Sequence, residues 1–235
     1  MAPKNIVGKV EYKQNLAGNV WLLRIGLDEV IDFIPGQYVS IKVSPEGLRR
    51  SYSIASLPGQ KYIDLLIDVT PMGVGSKYVL GLSVGDSVEM LGFLGHFIVD
   101  DNLLIANNQV LFIATGTGIA PLRPMVEDLL VNKKYKGEVR LIWGMRHEED
   151  LYWLKEIENI HRDYDNLHFD LVLSQPKPEW PGLSGHVGDV ISKISILGET
   201  TLSYLCGAPA MIDEITGLLK NKGISEEKLI FERYS

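Results

Sequence analysis

The sequence predicts an all-β antiparallel barrel domain followed by an α/β domain with a parallel sheet. Three observations support this fold class. Short strands separated by glycine-containing turns fill the first 98 or so residues. From about residue 103, apolar strands alternate with longer helical segments. Three short motifs stand out: residues 50–53 lie in the first half, and residues 116–121 and 206–211 lie at strand-to-helix turns of the second half. We therefore predict two domains, residues 1–102 and 103–235.

The first half has the alternation and β-branched content of a barrel or sandwich. Gly36, Gly47, Gly59 and Gly85 mark turns between the segments. One helix is predicted over residues 76–82, directly after a Gly-Val-Gly sequence. The predicted strands are residues 6–12, 20–27, 37–43, 51–54, 63–69 and 87–90.

The second half alternates between strand and helix, which implies parallel strands covered on both faces. The predicted strands are residues 110–114, 139–143, 169–173, 202–205 and 229–231. The predicted helices are residues 121–131, 149–160, 187–193 and 210–221. The change of pattern places the domain boundary at residues 102–107.

Composition excludes several classes of protein. The chain is 46% hydrophobic and 23% charged, as in ordinary globular proteins. Its net charge of -7 argues against a nucleic-acid partner. No apolar run approaches the roughly 20 residues that span a bilayer, so we expect no membrane association and a cytoplasmic location. Cys206 is the single cysteine, so we expect no disulfide, no iron-sulfur centre and no metal site.

The residues around Arg50 suit a phosphate-bearing aromatic ligand. Arg50 can form a forked hydrogen bond to a phosphate, and Tyr52 points to the same side of an extended strand. Residues 73–76 (Gly-Val-Gly-Ser) offer unhindered N–H groups at a helix start, which suit a pyrophosphate. The alternative is an ordinary edge strand and a helix cap.

Two further motifs follow apolar strands. In Thr115-Gly116-Thr117-Gly118 the glycines let the backbone approach a pyrophosphate, although such a turn is also common without a ligand. The spacing is not G-x-G-x-x-G, which argues against a generic Rossmann dehydrogenase. Cys206 and Gly207 begin the second motif, in which the cysteine is either a site residue or a small buried hydrophobe.

These motifs together resemble the ferredoxin:NADP reductase superfamily. Residues 36–38 (Gly-Gln-Tyr), 50–56 and 73–76 resemble its flavin domain. Residues 116–121 and 206–211 resemble its nicotinamide domain, and residues 231–235 resemble its terminal Glu-x-aromatic sequence. The resemblance covers nearly the whole chain.

The resemblance implies FAD and either NADH or NADPH as cofactors, with FMN not strictly excluded. It implies a catalytic group around the flavin N5 of Ser53, Cys206, Glu232 and Tyr234, with Tyr234 stacked on the flavin ring. The alternative for the carboxyl terminus is a frayed tail with Phe231 in the core. The implied cofactor-binding residues are Arg50, Tyr52, Ser53, Ile67, Val69, Gly73, Val74, Gly75, Ser76, Gly116, Thr117, Gly118, Arg146, Cys206, Gly207, Met211 and Tyr234.

The choice of nucleotide depends on the cations near its 2'-phosphate. Arg146 occupies a position where NADP-linked relatives keep an arginine, whereas Gln175 stands where a second would be expected. The third basic position is His186, and histidine is mostly neutral at pH 7. We therefore expect NADH to be used at least as well as NADPH.

The implied function is hydride transfer between NAD(P)H and flavin N5, with electrons passed to a separate carrier such as ferredoxin or flavodoxin. A separate carrier is expected because the cysteine content leaves no fused iron-sulfur domain. One alternative is the reductase component of an oxygenase or a reductase of free flavin. Another is a non-catalytic, flavin-binding electron-transfer subunit of a larger complex.

Overall fold

The computed structural model describes residues 3–195 and 198–234. The chain divides into two compact units, Met1–Ile98 and Val99–Ser235. The first contains a six-stranded antiparallel sheet and the second a six-stranded parallel sheet with helices, so the predicted fold class is confirmed. The predicted domain limits, 1–102 and 103–235, stay predictions.

The described part of the first unit is a curled antiparallel sheet in the order β4-β3-β6-β1-β2-β5. A bridge between Ile54 and Leu65 joins the end of β4 to β5, which closes the sheet into a barrel. Its elements are β1 (Lys4–Ala17), β2 (Val20–Gly26), β3 (Tyr38–Lys42), β4 (Arg49–Ser53), β5 (Tyr62–Asp68), α1 (Val74–Gly81) and β6 (Ser87–Leu94). Alternate residues point inward to form the core, which includes Leu23, Ile25, Ile41, Leu65 and Met90.

The described part of the second unit is a parallel sheet in the order β10-β9-β8-β7-β11-β12. Its strands are β7 (Gln109–Thr115), β8 (Glu138–Met145), β9 (Leu167–Leu173), β10 (Leu183–Ser184), β11 (Thr201–Gly207) and β12 (Leu229–Arg233). Its helices are α2 (Asp101–Ile105), α3 (Ile119–Glu127), α4 (Leu154–Asp163), α5 (Val187–Lys193) and α6 (Pro209–Asn221). Strands β7 and β11 are the most buried, as expected for central strands covered on both faces.

Three local features differ from the sequence-based expectation. Helix α4 begins at Leu154 and not at residue 149, because Trp153 has a left-handed φ of 55° that a continuous helix cannot contain. Helix α2 has five residues, too few to show a helical period in the sequence. The alternative of a frayed terminus is wrong, since β12 pairs with β11 and Phe231 is 40% exposed. None of the helices described is long and apolar enough to cross a membrane.

Candidate functional site

In the first unit, Arg50 and Tyr52 lie against the start of α1. A Cβ atom placed on Gly75 would be 2.5 Å from the Tyr52 hydroxyl and 2.9 Å from Cγ of Arg50. Glycine is therefore the residue that fits this contact without a shift of either side chain. Burial raises the pKa of Tyr52, so its hydroxyl stays protonated and can donate at neutral pH. The structure thus brings together the cation, the phenol and the glycine turn expected to hold a flavin nucleotide.

The two ends of helix α1 differ, since its first turn is uncapped and its last turn is held by Lys13. Gly73 is the residue before the helix, and no described side chain caps the N–H groups of Val74, Gly75 and Ser76. Such N–H groups and the positive end of the helix dipole favour an anion. At the other end, the ammonium of Lys13 donates to the carbonyls of Leu80 (2.7 Å) and Leu82 (2.8 Å). Strand β1 therefore anchors the helix whose first turn faces the predicted phosphate position.

Three other predicted flavin contacts are buried. Ser53 ends β4 and is 6% exposed. Ile67 and Val69 are 2% and 3% exposed and belong to the barrel core. Their side chains pack inward, so a cofactor contact from Ile67 or Val69 would come from the main chain. The roles of all three residues stay predictions.

In the second unit, two predicted nucleotide motifs meet at the carboxyl ends of β7 and β11. Gly118 packs so closely on the Cys206 carbonyl that a Cβ atom there would overlap it. Gly207 has a φ of +151°, and a Cβ on it would overlap the Thr115 hydroxyl and lie 2.8 Å from Cε of Met211. A residue larger than glycine would need a backbone shift at position 118, and at position 207 it would be strained by the positive φ and would displace the Thr115 side chain. At Gly116, by contrast, a Cβ would meet no described atom within 4 Å, so the turn is open on that side.

Glu232, on strand β12, and Tyr234, just after it, add two polar residues at the carboxyl ends of these strands. Glu232 pairs with Cys206 in the parallel register, and the Tyr234 N–H donates to the Gly207 carbonyl at 2.9 Å. Burial raises the pKa of Glu232 to about 7, and its Oε2 has no hydrogen-bond partner among the described residues. Burial, together with the Glu232 charge, also raises the pKa of the Cys206 thiol, although a hydrogen bond with Tyr234 opposes the shift. Cys206 is therefore a neutral thiol at physiological pH and not a nucleophilic thiolate.

The residues predicted to select the nucleotide follow the ends of β8 and β9. Arg146 is exposed, and its Nε donates to Oε1 of Gln175 at 3.3 Å. His186 is exposed and lies immediately before α5. Its backbone N–H donates to the Asp189 carboxylate at 2.7 Å. Arg146 and Gln175 thus lie side by side, as expected for two positions that contact one phosphate. Their role in nucleotide choice stays a prediction.

The sequence predicted no role for Thr115 and Lys13, two residues that support the predicted cofactor-binding turns. The Thr115 hydroxyl accepts a hydrogen bond from the Ala208 N–H at 3.4 Å, which links the two nucleotide motifs. Its position directly before Gly116 could have drawn attention to it. Lys13 is the other, and nothing local signals its role because its acceptors lie 67 and 69 residues away.

The residues present fit both implied cofactors. Arg50, Tyr52 and the uncapped first turn of α1 suit the phosphates of FAD. The close-packed Gly118 and Gly207, beside the open Gly116, leave room for a nicotinamide nucleotide at the strand ends. No group of three or more potential metal ligands occurs within residues 3–195 and 198–234.

Comparison with known proteins gives a family model for each of the two units. The family model described as "Oxidoreductase FAD-binding domain" matches residues 8–98, and "Oxidoreductase NAD-binding domain" matches residues 112–216. The two units thus define an FAD- and NAD-dependent oxidoreductase. NADH-cytochrome b5 reductase 1 of Dictyostelium discoideum is 30% identical over 207 residues, which is 86% of this chain and 71% of that protein. The chain belongs to the ferredoxin:NADP reductase superfamily, and its cofactors are FAD and NADH or NADPH.

Two further relatives indicate the range of the family. The toluate 1,2-dioxygenase electron transfer component of Pseudomonas putida is 29% identical over 204 residues, 86% of this chain and 59% of that protein. The crystal structure of the Amycolatopsis cytochrome P450 reductase GcoB has a TM-score of 0.88 and 30% identity, covering 98% of this chain and 70% of that one. The chain spans little more than half the length of several curated relatives that it matches.

Proposed function

We propose that this protein oxidises NADH and passes the electrons, through FAD, to a separate redox protein. The observation that carries the proposal is the meeting of Gly118, Cys206 and Glu232 at one edge of the parallel sheet. At that end of the sheet a close backbone approach lies beside the neutral Cys206 thiol and a Glu232 carboxyl whose pKa burial raises to about 7, which suits a nucleotide whose reacting end is uncharged or cationic. FAD, when bound, supplies the ability to take up two electrons together and release them singly.

The chain's own residues bind and orient the reactants. Arg50 and the first turn of α1 hold the FAD phosphates, and Tyr52 donates from the same face. In the second unit, Gly118 and Gly207 let the backbone approach the nucleotide.

Two side chains at this edge act through their protonation and position. Glu232 can hold or release a proton at Oε2 near neutral pH, since burial raises its pKa to about 7. The neutral Cys206 thiol positions the nicotinamide and forms no covalent bond. The proposed roles of Ser53 at the flavin N5 and of Tyr234 on the flavin ring rest on the family resemblance.

The proposed acceptor is a separate protein with a one-electron centre, such as a ferredoxin, a flavodoxin or an oxygenase component. The names of the relatives support it, since they include a cytochrome P450 reductase and the electron transfer component of toluate 1,2-dioxygenase. The charge distribution supports it as well. Acidic and basic residues balance in residues 1–98, so the negative charge of the chain lies in the second unit. An acidic carrier is therefore not repelled from the flavin-binding unit.

The proposal that NADH is used at least as well as NADPH rests on the cations after β8 and β9. Arg146 is a firm positive charge, but its partner there is the neutral amide of Gln175. A 2'-phosphate is best held by more than one guanidinium, so NADPH gains little over NADH.

A cytoplasmic location also stays a proposal, supported by the need for a supply of reduced nicotinamide nucleotide.

Visible spectra of the FAD-loaded protein test the proposal. We expect the flavin bands to bleach on anaerobic addition of NADH and to return when ferredoxin, flavodoxin or ferricyanide is added. NADH and NADPH are then compared by kcat/KM, and free FMN and FAD are tested as acceptors. Flavin bands that NADH leaves unchanged would contradict the proposal. Faster turnover with free flavin than with any protein carrier would favour the flavin-reductase alternative.

A further inference from the structure

The buried indole of Trp143, on strand β8, contacts the turn Gly116–Gly118 that follows β7 and that we expect to bind the nicotinamide nucleotide. Trp143 lies on β8 and has no exposed surface. Its Nε1 donates to the carbonyl of Gly116 at 3.0 Å. Gly116 has a φ of 55° and is the first residue after β7. The hydrogen bond therefore stabilises Gly116 in a left-handed backbone conformation that residues other than glycine rarely adopt.

The register of the sheet places this contact opposite the Cys206 contact. Ala114 pairs with Trp143 on one side and with Cys206 on the other. The turn that follows Ala114 is thus held from both neighbouring strands. On the β11 side, Gly118 packs on the Cys206 carbonyl, and on the β8 side Trp143 binds the Gly116 carbonyl.

Aromatic packing fixes the orientation of the indole. The ring of Tyr152 packs edge-on against Trp143, with centroids 5.2 Å apart, and Tyr152 is 6% exposed. Trp153 packs against Tyr152 at 5.5 Å, and the Arg123 guanidinium lies 4.1 Å from the Trp153 ring. Arg123 belongs to α3, the helix that follows the turn. Tyr152 and Trp153 therefore link the indole to that helix.

We propose that Trp143 is a positioning residue for the nicotinamide nucleotide. It turns the Gly116 carbonyl toward the buried side of the turn, and so keeps an acceptor oxygen away from the pyrophosphate. The N–H groups of Gly116, Thr117 and Gly118, which precede α3, are then the polar groups offered to the anion. This inference rests on the proposed function, because it assumes that the turn binds that nucleotide.

A purely structural role is the competing explanation, since a buried indole N–H needs an acceptor in any protein. Tyr135 offers a matched control. Its hydroxyl donates to the Asn107 carbonyl at 2.9 Å, close to the amino end of β7 and in the same unit. Tyr135→Phe therefore removes a comparable aromatic hydrogen-bond donor to a backbone carbonyl, but at the amino ends of the strands and not at their carboxyl ends.

The test compares Trp143→Phe with Tyr135→Phe in the FAD-loaded protein. Isothermal titration measures the Kd of NAD+, and steady-state assays separate KM for NADH from kcat. For Trp143→Phe we expect Kd and KM to rise about fivefold to tenfold, as loss of one hydrogen bond implies, with kcat within about twofold. For Tyr135→Phe we expect a lower melting temperature and an unchanged Kd.

A second substitution removes the donor without changing the volume of the core. Placing 3-benzothienylalanine at position 143 replaces the indole N–H with sulfur, so it answers the question if Trp143→Phe does not fold. An unchanged Kd of NAD+ in this protein would overturn the inference. A wild-type protein that neither binds NAD+ nor oxidises NADH would instead refute the proposed function, and the inference with it.

Discussion

Replacing Glu232 with glutamine is expected to stabilise the protein at high pH. Burial raises the pKa of Glu232 to about 7, from 4.5 in the unfolded chain. The folded protein therefore holds a proton that the unfolded chain releases, and stability falls as the pH rises from 4.5 to about 7. At about 1.4 kcal/mol for each pKa unit, the loss approaches about 3 kcal/mol above this window. Glutamine does not ionise, so the Glu232→Gln variant avoids the loss.

Urea unfolding of the wild type and of Glu232→Gln, followed by circular dichroism from about pH 4 to about pH 8, measures the difference. We expect no difference at the acidic end and a gain for the variant that grows to its full value by about pH 8. Glu227→Gln is the matched control. Glu227 is exposed and accepts a hydrogen bond from the Ser225 hydroxyl at 2.5 Å, which helps to lower its pKa. This control is expected to give no gain at high pH.

The shape of the pH dependence decides the matter. A gain for Glu232→Gln that is the same at pH 5 and at pH 8 would show that the carboxyl proton is not retained by burial. The proposed role of Glu232 in holding a proton near neutral pH would then lose its support.

Three further predictions concern the two cofactor sites and the barrel. Gly75→Ala is expected to weaken FAD binding about tenfold or more, because the added Cβ would overlap the Tyr52 hydroxyl. Gly81→Ala, in the same helix, would meet no described atom and should leave FAD binding unchanged. Fluorescence titration with FAD compares the two variants. Asp64→Asn breaks a forked ion pair with Arg24 (2.7 and 2.8 Å) and should cost about 2 kcal/mol in urea unfolding. Gln175→Arg should raise the NADPH to NADH ratio of kcat/KM about tenfold, and an unchanged ratio would count against this position as the selector.

Local patterns in the sequence specify the kinds of elements and their order. Alternating apolar residues in the barrel strands and glycine turns after apolar strands are local features, so periodicity and turn chemistry predict them. The turn at residues 115–118 and the helix at Val187–Lys193 are examples. The predicted start of α4 was wrong because a left-handed residue, Trp153, has no signature in the hydrophobic pattern.

The packing of the whole chain brings particular local features together in one site. The parallel register places Cys206 beside Ala114, 92 positions earlier in the chain, and Glu232 beside Cys206. The same packing places the side chains of Ile67 and Val69 in the barrel core, and it lets the Trp143 indole donate to the Gly116 carbonyl. Strand order, register and burial depend on how the whole chain packs, and a local sequence pattern does not specify that packing. The raised pKa of Glu232 follows from the same packing, because it is burial that disfavours the charged carboxylate.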